Sequence, residues 1–165
     1  MIQFPILVTE RLTLRPLLLS DAHDIFALRS DPQINKYLGR QAAKTIEDAI
    51  GFIQMITENI QKNASFYWAI TLTESKTFAG TICLFECSGE QCEIGYELLN
   101  AFQGKGIMKE AAGKVIEYAV QTMKMQRIEA FSHKDNHGSL RLLEKLGFKK
   151  ATDADPDYCV FMYGR

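Results

Sequence analysis

The stretch AFQGKGIMKEAAGKVIEYA, residues 101–119, sets two glycines two positions apart directly against a pattern that reads as helix to about Met123. A strand end, a glycine turn and a helix start together make an anion site. The first backbone N–H groups of a helix have no intrahelical acceptor, and the helix dipole adds partial positive charge there. Gly104 and Gly106 let a phosphate approach the backbone with no side chain in the way. Two common nucleotide signatures do not fit: G-x-x-x-x-G-K-[ST] is absent, and G-K-G-I-M-K lacks the third glycine of a dinucleotide loop. The stretch therefore points to a phosphate-bearing ligand of another kind, or to a plain strand-to-helix turn.

Working outward, Arg11 to Leu17 alternates as a strand with Leu12 and Leu14 on one face. Ser20 is placed to cap a helix carrying Ala22, Ile25, Phe26 and Arg29, which Pro32 stops. Thr45 caps a second helix, with Ile46, Ile50, Ile53 and Ile60 along its apolar face. From Phe66 the period changes to two, and strands over Phe66–Leu72, Phe78–Phe85 and Cys92–Leu98 fit an antiparallel meander. After the glycine helix come a strand over Arg127–Ser132, a short helix from about Gly138 to Leu146, a loop over Thr152–Asp157 and a last strand over Tyr158–Tyr163. This order describes an α/β (α+β) domain with a mixed sheet.

The chain has 165 residues, suited to one domain over residues 1–165 with a single core. With 47% hydrophobic and 24% charged residues it has the composition of a folded globular protein. A net charge of -1 without a Lys/Arg run argues against nucleic acid as the main ligand. No segment reads as a membrane span or a cleavable leader, so a cytoplasmic protein is expected. Cys83, Cys87, Cys92 and Cys159 lack paired C-x-x-C spacing and are read as reduced packing residues; no metal is expected.

Further motifs carry a resemblance. TERLTLRPL near the start, SDPQINKYLG from Ser30, EIGYELL from Glu93, QGKGIM from Gln103 and NHGSLRLLEKLGF from Asn136 follow one another in the order of the GNAT superfamily of N-acetyltransferases. The chain resembles the RimJ/RimL-like branch over nearly its whole length. The resemblance implies a mostly antiparallel central sheet flanked by helices, in which the fourth strand, Cys92–Leu98, splays from the fifth, Arg127–Ser132. It also implies acetyl-CoA as cosubstrate. The coenzyme diphosphate would lie on Gln103, Gly104, Lys105, Gly106, Ile107 and Met108, with Met108 departing from the small residue of the motif. Pantetheine would pair with the backbone of Leu98, Leu99 and Asn100. Asn136 aligns with a coenzyme-contacting or water-ordering asparagine, the favoured role, the other being to cap the helix after it.

For the chemistry, Glu93 and Glu97 share a face of their strand. Glu93 stands where some relatives carry a general base, or else is a solvated or ion-paired strand residue; Glu97 is the second candidate. Many relatives have a tyrosine as acid for the leaving thiolate seven residues after the asparagine, where this chain has Leu143. Ser139 matches a serine proposed for that task in the RimL-like members, and could also be a helix cap. His133 and His137 flank the Asn136 loop and are read as structural or solvated. Tyr37, Trp68 and Tyr96 belong to an acceptor pocket or to the core. The expected activity is transfer of an acetyl group to a primary amine, of a protein N-terminus or a small molecule, by direct attack in a ternary complex. The alternative is a non-catalytic acyl-CoA-binding module, and either a monomer or a homodimer is compatible with the sequence.

Overall fold

The computed structural model describes residues 3–63, 65–153 and 155–164. The strands are β1 (Leu7–Val8), β2 (Leu12–Pro16), β3 (Phe66–Leu72), β4 (Phe78–Ser88), β5 (Gln91–Leu98), β6 (Arg127–His133), β7 (Lys149–Asp153) and β8 (Tyr158–Gly164). The helices are α1 (Ala22–Ser30), α2 (Pro32–Asn35), α3 (Ile46–Gln61), α4 (Ile107–Gln121) and α5 (His137–Lys145). Among the described residues the strands form one sheet in the order β1-β2-β3-β4-β5-β6-β8-β7. Every neighbouring pair is antiparallel except β5 and β6.

Alternation along the central strands separates two cores. Leu12, Leu14, Trp68, Ile70, Ile82, Leu84 and Ile94 bury one face with Ile107, Ala111, Ala112, Val115 and Ala119 of α4. Tyr67, Ala69 and Phe78 bury the other with Ile25 of α1 and Ala49, Ile53 and Ile56 of α3. The meander over β3, β4 and β5 is therefore covered by helices on both sides, which is why β3 is apolar at consecutive positions. The three alanines of α4 are fully buried, and their small side chains let the helix lie close to the sheet.

Thr45 caps α3 as expected: its hydroxyl accepts the Asp48 N–H at 3.2 Å, and the Asp48 carboxylate accepts the Thr45 N–H at 3.1 Å. Ser20 does not cap α1. It lies in a 3-10 turn, Leu19–Asp21, and α1 starts after Asp21. The buried Asp21 carboxylate organises this entry, accepting the Leu18 N–H at 2.8 Å and both guanidinium Nη groups of Arg15 at 2.8 Å. Pro32 ends α1 and also opens α2 at its first position, with Asp31 as the cap. β7 takes up the start of the expected Thr152–Asp157 loop, since Lys149, Lys150, Thr152 and Asp153 pair with β8 across a register shift.

The site depends on the end of β5. Parallel pairing with β6 covers Gln91↔Arg127, Cys92↔Ile128 and Glu93↔Glu129, whereas pairing with β4 continues to Gly80↔Leu98. Beyond Glu93, β5 thus keeps one neighbour and leaves a gap on its other edge. Gly80 permits the close approach of β5 there, because a Cβ at residue 80 would stand 2.1 Å from the Glu97 carbonyl oxygen. Gly80→Ala should destabilise the fold by about 2–4 kcal/mol, through backbone displacement that a packed sheet resists. A thermal melt checks it: with a shift of about 2–4 °C per kcal/mol for this size, the midpoint should fall clearly.

Candidate active site

Backbone groups of alternate residues in β5 point to opposite edges. Leu99 donates its N–H to the Ala79 carbonyl at 2.8 Å, toward β4, so the peptide groups of Tyr96 and Leu98 face the gap. The gap opens into a cleft of about 640 Å³, within the range of small-molecule sites. Tyr96, Glu97 and Leu98 line it from β5, Gly104, Gly106, Ile107 and Met108 from the glycine loop and α4. Asn136, Gly138 and Ser139 line it from the start of α5, and Gln33, Ile34, Tyr37 and Leu38 from α2 and the segment after it.

Gly104 and Gly106 both have φ of 75°, a left-handed conformation that favours glycine. Gly106 is the N-cap of α4, and no side chain caps that helix. The first-turn N–H groups are thus directed at the cleft beside the glycines. Lys109, Arg141 and Lys145 line the same cleft and add positive charge. The loop is braced from behind by the amino-terminal segment. Arg11 donates Nη1 to the Lys105 carbonyl at 3.1 Å and Nε to Glu110 at 2.7 Å. Glu110 also accepts the Arg11 N–H at 2.9 Å and the Thr9 hydroxyl at 2.6 Å. Burial acts upward on the Glu110 carboxyl, but the hydrogen bonds from Thr9 and Arg11 hold it below its ordinary range.

Of the other residues singled out in the sequence, Gln103 lines the cleft but turns its amide inward, to the Leu98 carbonyl at 3.0 Å and Asn100 Oδ1 at 3.3 Å. Asn100 donates to Asp31 at 2.7 Å, and the other Asp31 oxygen caps α2 at Gln33 and Ile34. Asn136 caps α5 by accepting the Ser139 N–H at 3.3 Å, so Ser139 is not the cap. The Ser139 hydroxyl is 2.8 Å from the Tyr96 hydroxyl. Burial raises the Tyr96 phenol, with the Ser139 hydrogen bond opposing it, so the phenol is protonated near neutrality. Trp68 is a core residue, fully buried with its indole N–H donated to the Pro5 carbonyl at 2.9 Å.

The two strand carboxylates diverge. Glu97 reaches the cleft with both oxygens hydrogen-bonded by the Arg40 guanidinium, which is itself held by Asn35 at 2.6 Å. Arg29 lies near this pair, stacked 3.8 Å over the Phe52 ring, and burial and then the Arg40 charge lower its pKa. Glu93 lies outside the cleft lining, opposite Phe85 and Glu129. Burial, followed by the charges of Glu129 and Glu86, raises its pKa. Lys109, Arg141, Lys145, Arg40 and the Tyr96–Ser139 contact were missed in the sequence, where only the four-residue spacing of Arg141 and Lys145 hinted at a shared helix face. Among the described residues no group of His, Cys, Asp and Glu converges as a metal centre would require. No described helix is long and apolar enough to cross a membrane.

A strand end that gives up one neighbour thus lies next to a glycine-started helix with an open N-terminus. The Acetyltransferase (GNAT) domain family matches residues 11–149, and the chain belongs to this family of acetyl-CoA-dependent N-acetyltransferases. The chain is 36% identical over 149 residues to the uncharacterized N-acetyltransferase YoaA of Bacillus subtilis (strain 168), covering 89% of this chain and 84% of YoaA. It is 32% identical over 99 residues to the [Ribosomal protein uS5]-alanine N-acetyltransferase of Escherichia coli (strain K12), covering 58% of this chain and 51% of that protein. Its fold superimposes on RimL, a ribosomal L7/L12 alpha-N-protein acetyltransferase in complex with coenzyme A, with a TM-score of 0.86 at 18% identity over 96% of this chain and 97% of that one.

A pH test follows from Glu93. Its folded pKa lies above the unfolded value, so its neutral form favours the fold below the unfolded pKa, and this contribution is lost as pH rises through the folded pKa. Glu93→Gln, neutral throughout, should melt higher than the wild type at pH 7, with the difference closing toward about pH 4 as Glu93 protonates. Thermal melts across that range check it; a variant less stable at pH 7 would mean that the charge is compensated in the fold.

Proposed function

We propose that the protein acetylates an α-amine, of a protein N-terminus or of a small molecule, by direct attack on acetyl-CoA in a ternary complex. The observation that supports this most is the meeting of two backbone features in one cleft: the gap-facing peptide groups of Tyr96 and Leu98, and the uncapped N-terminus of α4 behind Gly104 and Gly106. In this reading the coenzyme supplies an acetyl thioester. The glycine loop and the first turn of α4, with Lys109, Arg141 and Lys145, hold its phosphates. The Leu98 N–H is directed at the developing negative charge on the acyl oxygen.

The acceptor class follows from protonation. About a tenth of an α-amine with pKa near 8 is neutral at pH 7, against well under a hundredth of a lysine amine with pKa near 10.4. Among the described residues Glu97 is the one carboxylate lining the cleft, and both its oxygens are committed to Arg40. A cleft of this kind suits an amine that is partly neutral beforehand, in keeping with the alanine named for the Escherichia coli relative. Glu93, outside the cleft lining, has no direct contact with the acceptor in this reading.

The Tyr96–Ser139 hydroxyl pair takes the place of the absent tyrosine at Leu143, which is fully buried in the core. The protonated phenol backs Ser139 as donor toward the leaving sulfur. Tyr96→Phe should lower kcat by roughly tenfold to a hundredfold while leaving the KM for acetyl-CoA within about twofold. Steady-state kinetics with a saturating amine checks this, and a loss confined to KM would remove the pair from proton transfer.

Isothermal titration with acetyl-CoA, with dephospho-CoA as control, tests the coenzyme site. Gly106→Val should raise Kd about tenfold or more, since a branched side chain is strained in the left-handed region and crowds the phosphate approach. Saturable binding without turnover on any amine would favour the second reading, an acyl-CoA-binding module, to which the buried Leu143 lends support. No binding would overturn both.

A further inference from the structure

Away from the cleft, the β4–β5 hairpin brings two cysteines together by an irregularity in its ladder. Phe85 pairs with Glu93 and Ser88 with Gln91, so Glu86 and Cys87 together stand opposite Cys92 alone. Glu86 has φ of 48°, a left-handed conformation that residues with a side chain rarely adopt. This bulge turns Cys87 to the face on which Cys92 is buried, and Cys87 packs against the same core cluster. The Cys87 S–H donates to the Phe85 carbonyl at 3.8 Å.

The two thiols differ in ways that suit a pair. Cys87 is partly exposed, whereas Cys92 is 2% exposed. The neighbouring Cys92 thiol lowers the Cys87 pKa, outweighing burial and the Glu86 charge. The Cys87 thiol, with burial, raises that of Cys92. Cys83, partly exposed like Cys87, donates to the Gly95 carbonyl at 3.6 Å and is pushed up to about 12 by desolvation, and Cys159 is buried in β8. Facing residues on antiparallel strands lie about 4.5–5.5 Å apart at Cα, inside the range of about 4.4–6.8 Å that a disulfide spans.

We propose that Cys87 and Cys92 are a hydroperoxide-responsive pair that closes to an intrachain disulfide across the β4–β5 bulge. In the first step the Cys87 thiolate attacks one oxygen of the peroxide. The S–O bond forms, the O–O bond breaks, and the leaving hydroxide or alkoxide takes a proton to depart as water or alcohol. In the second, the Cys92 sulfur attacks the Cys87 sulfenic acid; the S–S bond forms, the S–O bond breaks, and the departing hydroxide leaves as water with the Cys92 proton. The two sulfurs together lose two electrons and the peroxide gains them, and a dithiol reductant reverses the bridge. The bridge lies at the closed end of the gap, since Cys92 pairs with Ile128 one position before the β5–β6 ladder ends. It is independent of the acetyl-transfer reading.

The test uses the reduced full chain and equimolar hydrogen peroxide. Two of the four thiols should be lost, all recovered by a dithiol reductant. A Glu-specific protease cuts after Glu86, Glu90 and Glu93, so the Cys87 and Cys92 peptides separate unless bridged. Mass spectrometry without reductant should find them joined. Cys87→Ala should slow the first thiol loss roughly tenfold. Cys92→Ala should leave a sulfenic acid on Cys87 that a cyclic dione traps, and the wild-type digest decides alone if that variant does not fold. Survival of all four thiols, a bridge through Cys83 or Cys159, or oxidation of Cys87 to sulfinic acid without a bridge would overturn the proposal.

Discussion

The site exists because β5 holds to β4 for its full length and gives up β6 after Glu93. A strand released on one edge presents peptide donors and acceptors that a neighbouring strand would otherwise occupy. Here that edge lies inside the molecule, between α2 on one side and α5 on the other, so it faces a cleft. Gly80 is part of the same constraint. It stands so near the Glu97 carbonyl that a side chain would force the two strands apart at the open end of the gap, where Gly80 pairs with Leu98.

Around that edge, residues distant in the chain hold the parts in place. Thr9 and Arg11, in the turn between β1 and β2, clasp Glu110 in the first turn of α4 and the Lys105 carbonyl in the glycine loop. Arg40, between α2 and α3, fastens that connection to Glu97 on β5, and Asp31 joins the start of α2 to Asn100. The glycine loop and the first turn of α4 are thus tied to the amino-terminal segment, and backbone groups keep their geometry only when the loop presenting them is held.

Much of the fold was legible in the sequence where its physics is local. The switch from helical spacing to alternation at Phe66, the Thr45 cap and the glycines before α4 each announce themselves within a few residues. Other elements do not. β1 spans two residues, too few for any period, and α2 is one turn whose opening proline reads equally as a stop. β7 looks polar because it is an edge strand whose partner, β8, lies further along the chain. Ser20 carries the right hydroxyl for a cap, but the Arg15–Asp21 pair fixes the turn and starts the helix later.

The candidate site divides along the same line. The run from Gln103 to Met108 by itself determined a glycine-started helix with an open N-terminus, because left-handed glycines and open N–H groups are properties of adjacent residues. The face shared by Glu93 and Glu97 was also set by sequence, since side chains alternate along any strand. Only the tertiary structure decided that Glu97 enters the cleft tied to Arg40 and Glu93 stays outside it, and that Tyr96 meets Ser139. These contacts join residues more than forty positions apart, and their geometry is set by where the sheet opens and how α2 and α5 dock against it.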